Sequence, residues 1–198
     1  MIPRFNASMV LPPFLGESPT TAATMSPFHA SMLEFTQQFA TSPERAAILN
    51  GLLAYREALR NIGIANAFQW MDGSFVEDVE TSRGRAPADI DVVTFGHAPQ
   101  FADPAAAHGW MTANDGVLNP RQTKQNYSCD AYFVDMEKLQ QRPHVLVERT
   151  RYWFGLFSHQ RETALWKGMV QVPLSSDDDQ AAELLQNLVF EALGGENA

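Results

Sequence analysis

Asp89 and Asp91 stand two residues apart in the run Asp89-Ile90-Asp91-Val92-Val93, whose β-branched residues mark a strand built for burial. In extended backbone, residues i and i+2 project from the same face, so the two carboxylates lie side by side while Ile90 and the Val92-Val93 pair bury. Like charges held that close repel, and nothing in folding stability rewards the arrangement. A positive charge between them does, and a divalent ion with oxygen ligands is the natural candidate. Upstream, an apolar run over residues 67–71 leads into Gly73-Ser74. A turn of small residues after a strand lets backbone N–H groups approach a phosphate without side-chain obstruction.

The stretch Tyr127-Ser128-Cys129-Asp130-Ala131-Tyr132-Phe133-Val134 sets a third carboxylate, Asp130, inside another apolar run. Asp135 competes for that place, but at the end of the strand, beside Met136-Glu137-Lys138, it reads as a helix cap. The order Gly73-Ser74, then Asp89-Ile90-Asp91, then Asp130 resembles the nucleotidyltransferase superfamily of the DNA polymerase β type, in its minimal bacterial form, over residues 67–134. The resemblance implies an α+β fold, a nucleotidyltransferase-like mixed β-sheet flanked by helices. It implies that Asp89, Asp91 and Asp130 hold Mg²⁺ or Mn²⁺ and carry the catalysis. Gly73 and Ser74 would cradle the triphosphate of an NTP, ATP among them, and the NMP would pass to a protein, an RNA or a small molecule. It also points to a toxin–antitoxin or phage-defence role, with a protein partner from the same locus. One departure from the family lies in the spacer from Phe75 to Ala88, which is longer than usual and acidic (Glu77, Asp78, Glu80). Either a helix opens at Ser74, as in the family, or a β-excursion turns at Ser82-Arg83-Gly84. A reading of a different class keeps the fold without the chemistry: a catalytically silent nucleotide-sensing or scaffolding module acting through a partner.

With 198 residues, 45% hydrophobic and 19% charged, the chain has the make-up of one globular domain. No apolar run reaches spanning length and no basic region precedes an apolar one at the N-terminus, so neither a membrane nor secretion is indicated and the cytoplasm is the default. A single cysteine, Cys129, excludes an internal disulfide and a cysteine-rich metal site; inside a buried strand it reads as inert packing. The five histidines are scattered, with no pair at the spacing of a helix-borne metal site.

A net charge of −9 argues against a general nucleic-acid binder, so a nucleic-acid acceptor is not favoured. Most of the basic residues nevertheless lie between Arg121 and Lys167, while the segment after Pro173 carries none. From Val147 to Lys167 they interleave with Tyr152, Trp153, Phe154 and Phe157, a mixture suited to a base and its phosphates. Arg161 and Lys167 are the preferred phosphate contacts; Arg149 and Arg151 have Glu148 or the acidic tail as partners.

Residues 1–25, interrupted by Pro12-Pro13, Gly16 and Pro19, read as an irregular N-terminal arm whose Val10, Leu11, Phe14 and Leu15 pack on a single domain of residues 26–198. Ser26-Pro27 and Ser42-Pro43 each offer a capping hydroxyl followed by proline, which predicts helices to about Ala40 and about Asn61. Strands are expected over 67–71, 89–95, 127–135 and 169–174, and helices over 104–118 and 145–157. Asp177-Asp178-Asp179 opens a final helix ending at Gly194-Gly195, where capping is their expected job.

Overall fold

The computed structural model describes residues 1–194. It is an α+β protein whose mixed five-stranded sheet is flanked by helices on both faces. Within those residues no helix is long and apolar enough to cross a membrane.

The arm is bound closely to the body. Val10 and Leu11 are fully buried, Val10 bridges to Glu77, and Phe14 packs on Trp166. Ser26-Pro27 does not start a helix. Strand β1 (Phe28–His29) follows it, and the Ser26 hydroxyl accepts a hydrogen bond from Met169 N at 2.8 Å. Helix α1 (Met32–Phe39) starts instead at Ser31, whose hydroxyl accepts from Glu34 N while the Glu34 carboxylate accepts from Ser31 N. This reciprocal cap satisfies two orphan donors, which a serine–proline pair alone does not. Helix α2 (Pro43–Asn61) does begin at Ser42-Pro43 and buries Leu49, Leu52 and Leu59 completely. Each such leucine stabilises by roughly 1.5–3 kcal/mol through burial.

Strand β2 (Ala65–Asp72) leads into a 3-10 turn (Gly73–Val76) and a short helix α3 (Val79–Arg83) that ends on Gly84 at φ +64°. The spacer is thus neither a helix from Ser74 nor a β-excursion. Between the turn and α3, Glu77 is extended (φ −123°, ψ 155°), and the buried Arg45 of α2 pins this break: its guanidinium donates to the carbonyls of Phe75 (2.6 Å) and Glu77 (2.7 Å) and grips the Glu80 carboxylate. Each spacer acid has its own task. Glu77 meets Lys167, Asp78 caps α3, and Glu80 holds Arg45.

Strand β3 (Ile90–His97) is followed by α4 (Pro104–Ala113), α5 (Asp115–Leu118) and α6 (Pro120–Tyr127), then by β4 (Cys129–Asp135). The single helix expected over 104–118 breaks at Asn114, whose amide side chain donates to Trp110 O. Helix α6 was not anticipated, although Asn119-Pro120 carries the same signature as Ser42-Pro43, and the Asn119 side chain accepts from Arg121 N. Helices α7 (Met136–Leu139) and α8 (Pro143–Phe157), strand β5 (Val170–Pro173) and helix α9 (Asp178–Gly194) complete the fold; Gly195 lies outside the described residues.

The sheet order is β1-β5-β2-β3-β4, with β2 antiparallel to both neighbours and β3–β4 parallel. One face (Met71, Ile90, Val92, Cys129, Ala131) packs on α1, α2 and α9. The other face (Trp70, Val93, Phe95, Val134) is covered by Trp153 and Phe157 of α8. Two features lock α9 down. Asp178 binds both Arg56 and Arg60, and Asp177 accepts from Leu33 N, so it caps α1 rather than its own helix.

Candidate active site

The registers of three strands converge on one row of acids. Asp72 pairs with Asp91 across β2–β3, and Asp91 pairs with Asp130 across β3–β4. Paired residues share a face of a sheet, so all three carboxylates emerge on the α8 side, just beyond the aromatic and aliphatic residues that α8 covers. Along β4 the alternation places Asp130 and Tyr132 on this side and Cys129 and Ala131 in the opposite core. Asp135 is also on the opposite side and caps α7 through Lys138 N, so it is no member of the row.

Strand β3 begins at Ile90, so Asp89 stands just ahead of the ladder. Its carboxylate is in direct contact with the Lys124 ammonium of α6. Burial, with the charges of Asp89 and Asp130 added to it, pushes Asp91 up to about 6. The acids therefore remain electrostatic neighbours, as their spacing demands.

Gly73 lies directly over this row. Its φ is +81°, and a Cβ built on it would collide with the Asp91 carboxylate, standing 3.0 Å from Cγ. Glycine is required here for both conformation and space. Beneath the turn, Lys167 is buried and donates to Asp72 at 2.8 Å, Glu77 at 3.0 Å and the Gly73 carbonyl at 3.2 Å. Burial pushes the Asp72 carboxyl above the usual carboxylate range, with Lys167 pulling the other way. Burial likewise opposes the charge on Lys167, but Asp72 and Glu77 outweigh it and raise its pKa.

A cavity of about 260 Å³ opens at this point, lined by Asp72, Gly73, Ser74 and Asp91 together with Arg83, Arg85, Arg161 and Lys167. Of the two expected phosphate contacts, Arg161 is exposed at this rim and near enough to favour the charged form of Asp91. Lys167 also lines the cavity, yet its ammonium is committed to the carboxylates beneath the turn. Arg149 and Arg151 are exposed on α8 and do not line it. Cys129 is buried, and burial pushes its thiol far up, so it is packing.

Four residues of this site were not singled out from sequence. Asp72 could have been, as the last residue of an apolar strand immediately before Gly73; so could Arg83 and Arg85, which flank Gly84 in the spacer. Lys124 could have been found only by recognising α6. Among the described residues, no three His, Cys, Asp or Glu side chains already converge at metal-ligand spacing. A larger, more apolar groove, of about 1090 Å³, lies at the far end of β4 among Phe101, Trp110, Met111 and Phe133.

No curated protein and no solved structure matches this chain. A family model does match, over residues 3–173, from the N-terminal arm through β5. The chain belongs to DUF6932, a family of unknown function.

Proposed function

We propose that this protein is a magnesium- or manganese-dependent nucleotidyltransferase that moves an NMP from an NTP to an acceptor hydroxyl. The observation that carries the reading is the in-register pair Asp91 and Asp130, with Asp89 beside it and a glycine turn closed down over Asp91. The donors fit the group. Carboxylate oxygens are the ligands a hard divalent ion takes; burial lifts Asp91 most, and the charges of Asp89 and Asp130 that add to it are what such an ion relieves. When bound, the ion supplies neutralisation of phosphate oxygens and a lowered pKa for the attacking hydroxyl.

The chain's own residues supply the rest. Asp89, Asp91 and Asp130 would hold the ion, and a carboxylate oxygen of Asp130 would accept the proton of the attacking hydroxyl. Arg83, Arg85 and Arg161, which also line the cavity, would neutralise the polyphosphate, with Ser74 hydrogen-bonding to it. Lys167 acts from below by fixing Asp72 and the Gly73 carbonyl, and so the turn. Positioning and charge neutralisation of this kind account for most of the catalysis in phosphoryl transfer. The net charge of −9 favours a protein or small-molecule acceptor over a long nucleic acid.

A specific observation favours a second reading, a silent nucleotide-sensing module. The carboxylates do not already converge at coordination spacing, and Asp89 is engaged with Lys124. Incubation of the protein with each α-labelled NTP, Mn²⁺ and host lysate separates the two. Label transfer with pyrophosphate release, lost in Asp91→Asn and Asp130→Asn, is expected for the enzyme; NTP binding with no pyrophosphate from any NTP would establish the sensor.

A further inference from the structure

Lys124 has no role in the chemistry described so far, yet it touches one of its central residues. It sits one turn before the end of α6, whose position is set at both ends: Asn119 and Pro120 open the helix, and Ser128 closes it at φ +54°. The Tyr127 backbone at that end packs so tightly on Gly51 of α2 that even a Cβ there would collide with the Tyr127 carbonyl. The base of the lysine is therefore rigid, while its side chain is 56% exposed. Its ammonium contacts Asp89, two residues before Asp91, which pairs with Asp130. One positive charge thus occupies a carboxylate that a divalent ion would join.

We propose that Lys124 is a place-holding cation, which neutralises Asp89 in the metal-free protein and is displaced when a divalent ion enters. This inference rests on the reading of the carboxylate row as a metal centre. Three physical points support it. The lysine end of the pair is 56% exposed although the Asp89 side chain is only 19% so, and an ammonium with water at hand gives up a single carboxylate at little cost. A divalent ion brings twice the charge and direct oxygen coordination, so it competes effectively where a monovalent ammonium holds the place. The chain also contains the contrasting case, since Lys167 is 2% exposed and shut between two carboxylates, and cannot leave without abandoning both. Lys124 neutralises Asp89 in the absence of metal without blocking its entry.

The chain has three lysines, Lys124, Lys138 and Lys167, which makes the test direct. Full-length protein is titrated with Mn²⁺ by calorimetry as wild type, Lys124→Met and Lys124→Arg. In parallel, each lysine's rate of modification by an amine-reactive ester is read by peptide mass spectrometry with and without Mn²⁺. The expected result is Mn²⁺ affinity tightened about threefold to tenfold in Lys124→Met and near wild type in Lys124→Arg, which keeps the competing charge. Mn²⁺ should also speed modification of Lys124 severalfold, leaving exposed Lys138 and buried Lys167 unchanged. Equal Mn²⁺ affinity in wild type and Lys124→Met, with unaltered Lys124 labelling, would overturn the inference and leave the metal centre standing. No Mn²⁺ binding by any of the three proteins would overturn the metal centre itself, and the place-holding role with it.

Discussion

On the β5 side of the carboxylate row, Lys167 is 2% exposed, donates to Asp72 at 2.8 Å and also meets Glu77 and the Gly73 carbonyl. On the β4 side, Lys124 is 56% exposed and touches Asp89 alone. The same two residue types do different work because their surroundings differ. Around Lys167 the dielectric is low and both carboxylates are also buried, so removing the ammonium would strand Asp72 and leave Glu77 with Arg83 alone as counterion. Around Lys124 water reaches the ammonium while the Asp89 side chain is only 19% exposed, so the pair is open at one end and is the weaker of the two. The first pair belongs to the architecture of the turn, and the second stands at the protein surface.

The largest effect should come from breaking the buried pair. Lys167→Met is expected to cost about 3–5 kcal/mol, read by chemical denaturation, because Asp72 loses its counterion in the interior and Glu77 keeps only Arg83, at 3.6 Å. A cost equal to that of Lys124→Met would erase the distinction between the two regions.

Next come the acids between the lysines. Asp130→Asn should lower turnover by about a thousandfold, roughly 4 kcal/mol of transition-state stabilisation, while reducing nucleotide affinity less. Asp91→Asn should abolish transfer and leave the melting temperature equal or higher, since a repelling charge is removed. Asp135→Asn provides the control on the opposite face of β4: at most about 1 kcal/mol of stability lost with the cap, and unchanged chemistry. If Asp135 were the essential residue instead, the site would have to lie on the other face of the sheet.

Substitution at Gly73 sharpens the geometry. Gly73→Val must hold φ near +81° and push against Asp91, a strain of about 1–3 kcal/mol on stability. NTP binding, measured by calorimetry, should weaken far more in Gly73→Val than in Ser74→Ala, which removes a single hydrogen bond.

A smaller effect is expected at Asp177, far from the row. Its carboxyl is held down at about 2, against an ordinary value of 3.8; partial burial opposes this, but the hydrogen bonds from Leu33 N and the neighbouring serines prevail. A depressed carboxyl contributes stability that is complete above its unfolded value and is lost as pH falls through the folded one. Asp177→Asn should therefore cost about 1 kcal/mol at neutral pH, and the gap to wild type should close between pH 3.8 and 2. The smallest expected loss is from Lys124→Met, at most about 1 kcal/mol in a melting experiment without metal.

Much of the site could be read along the chain. The two-residue period of extended backbone placed Asp130 and Asp135 on opposite faces of one strand, and the small residues at Gly73-Ser74 marked the turn. The cap at Ser42-Pro43 and the stripe Leu49, Leu52, Leu59 specified α2 in the same way, since hydroxyl, proline and helical spacing all act within a few residues of one another. Where the local reading failed, a distant residue had intervened. Ser26-Pro27 became the lead into a strand because β5 offered it a pairing partner, and the spacer breaks between its turn and α3 where Arg45, from α2, grips the carbonyls of Phe75 and Glu77.

The sequence by itself determined which residues could share a face, where turns had to be small, and that two like charges would lie close together. Only the tertiary structure decided that Asp72 joins Asp91 and Asp130 in one row, because register is set by the pairing of three strands and not by any one of them. It alone decided which lysine is locked and which is free to move. Lys167 and Asp72 are 95 positions apart, and what separates their pair from that of Lys124 is burial, a property of everything packed around a residue rather than of its neighbours along the chain.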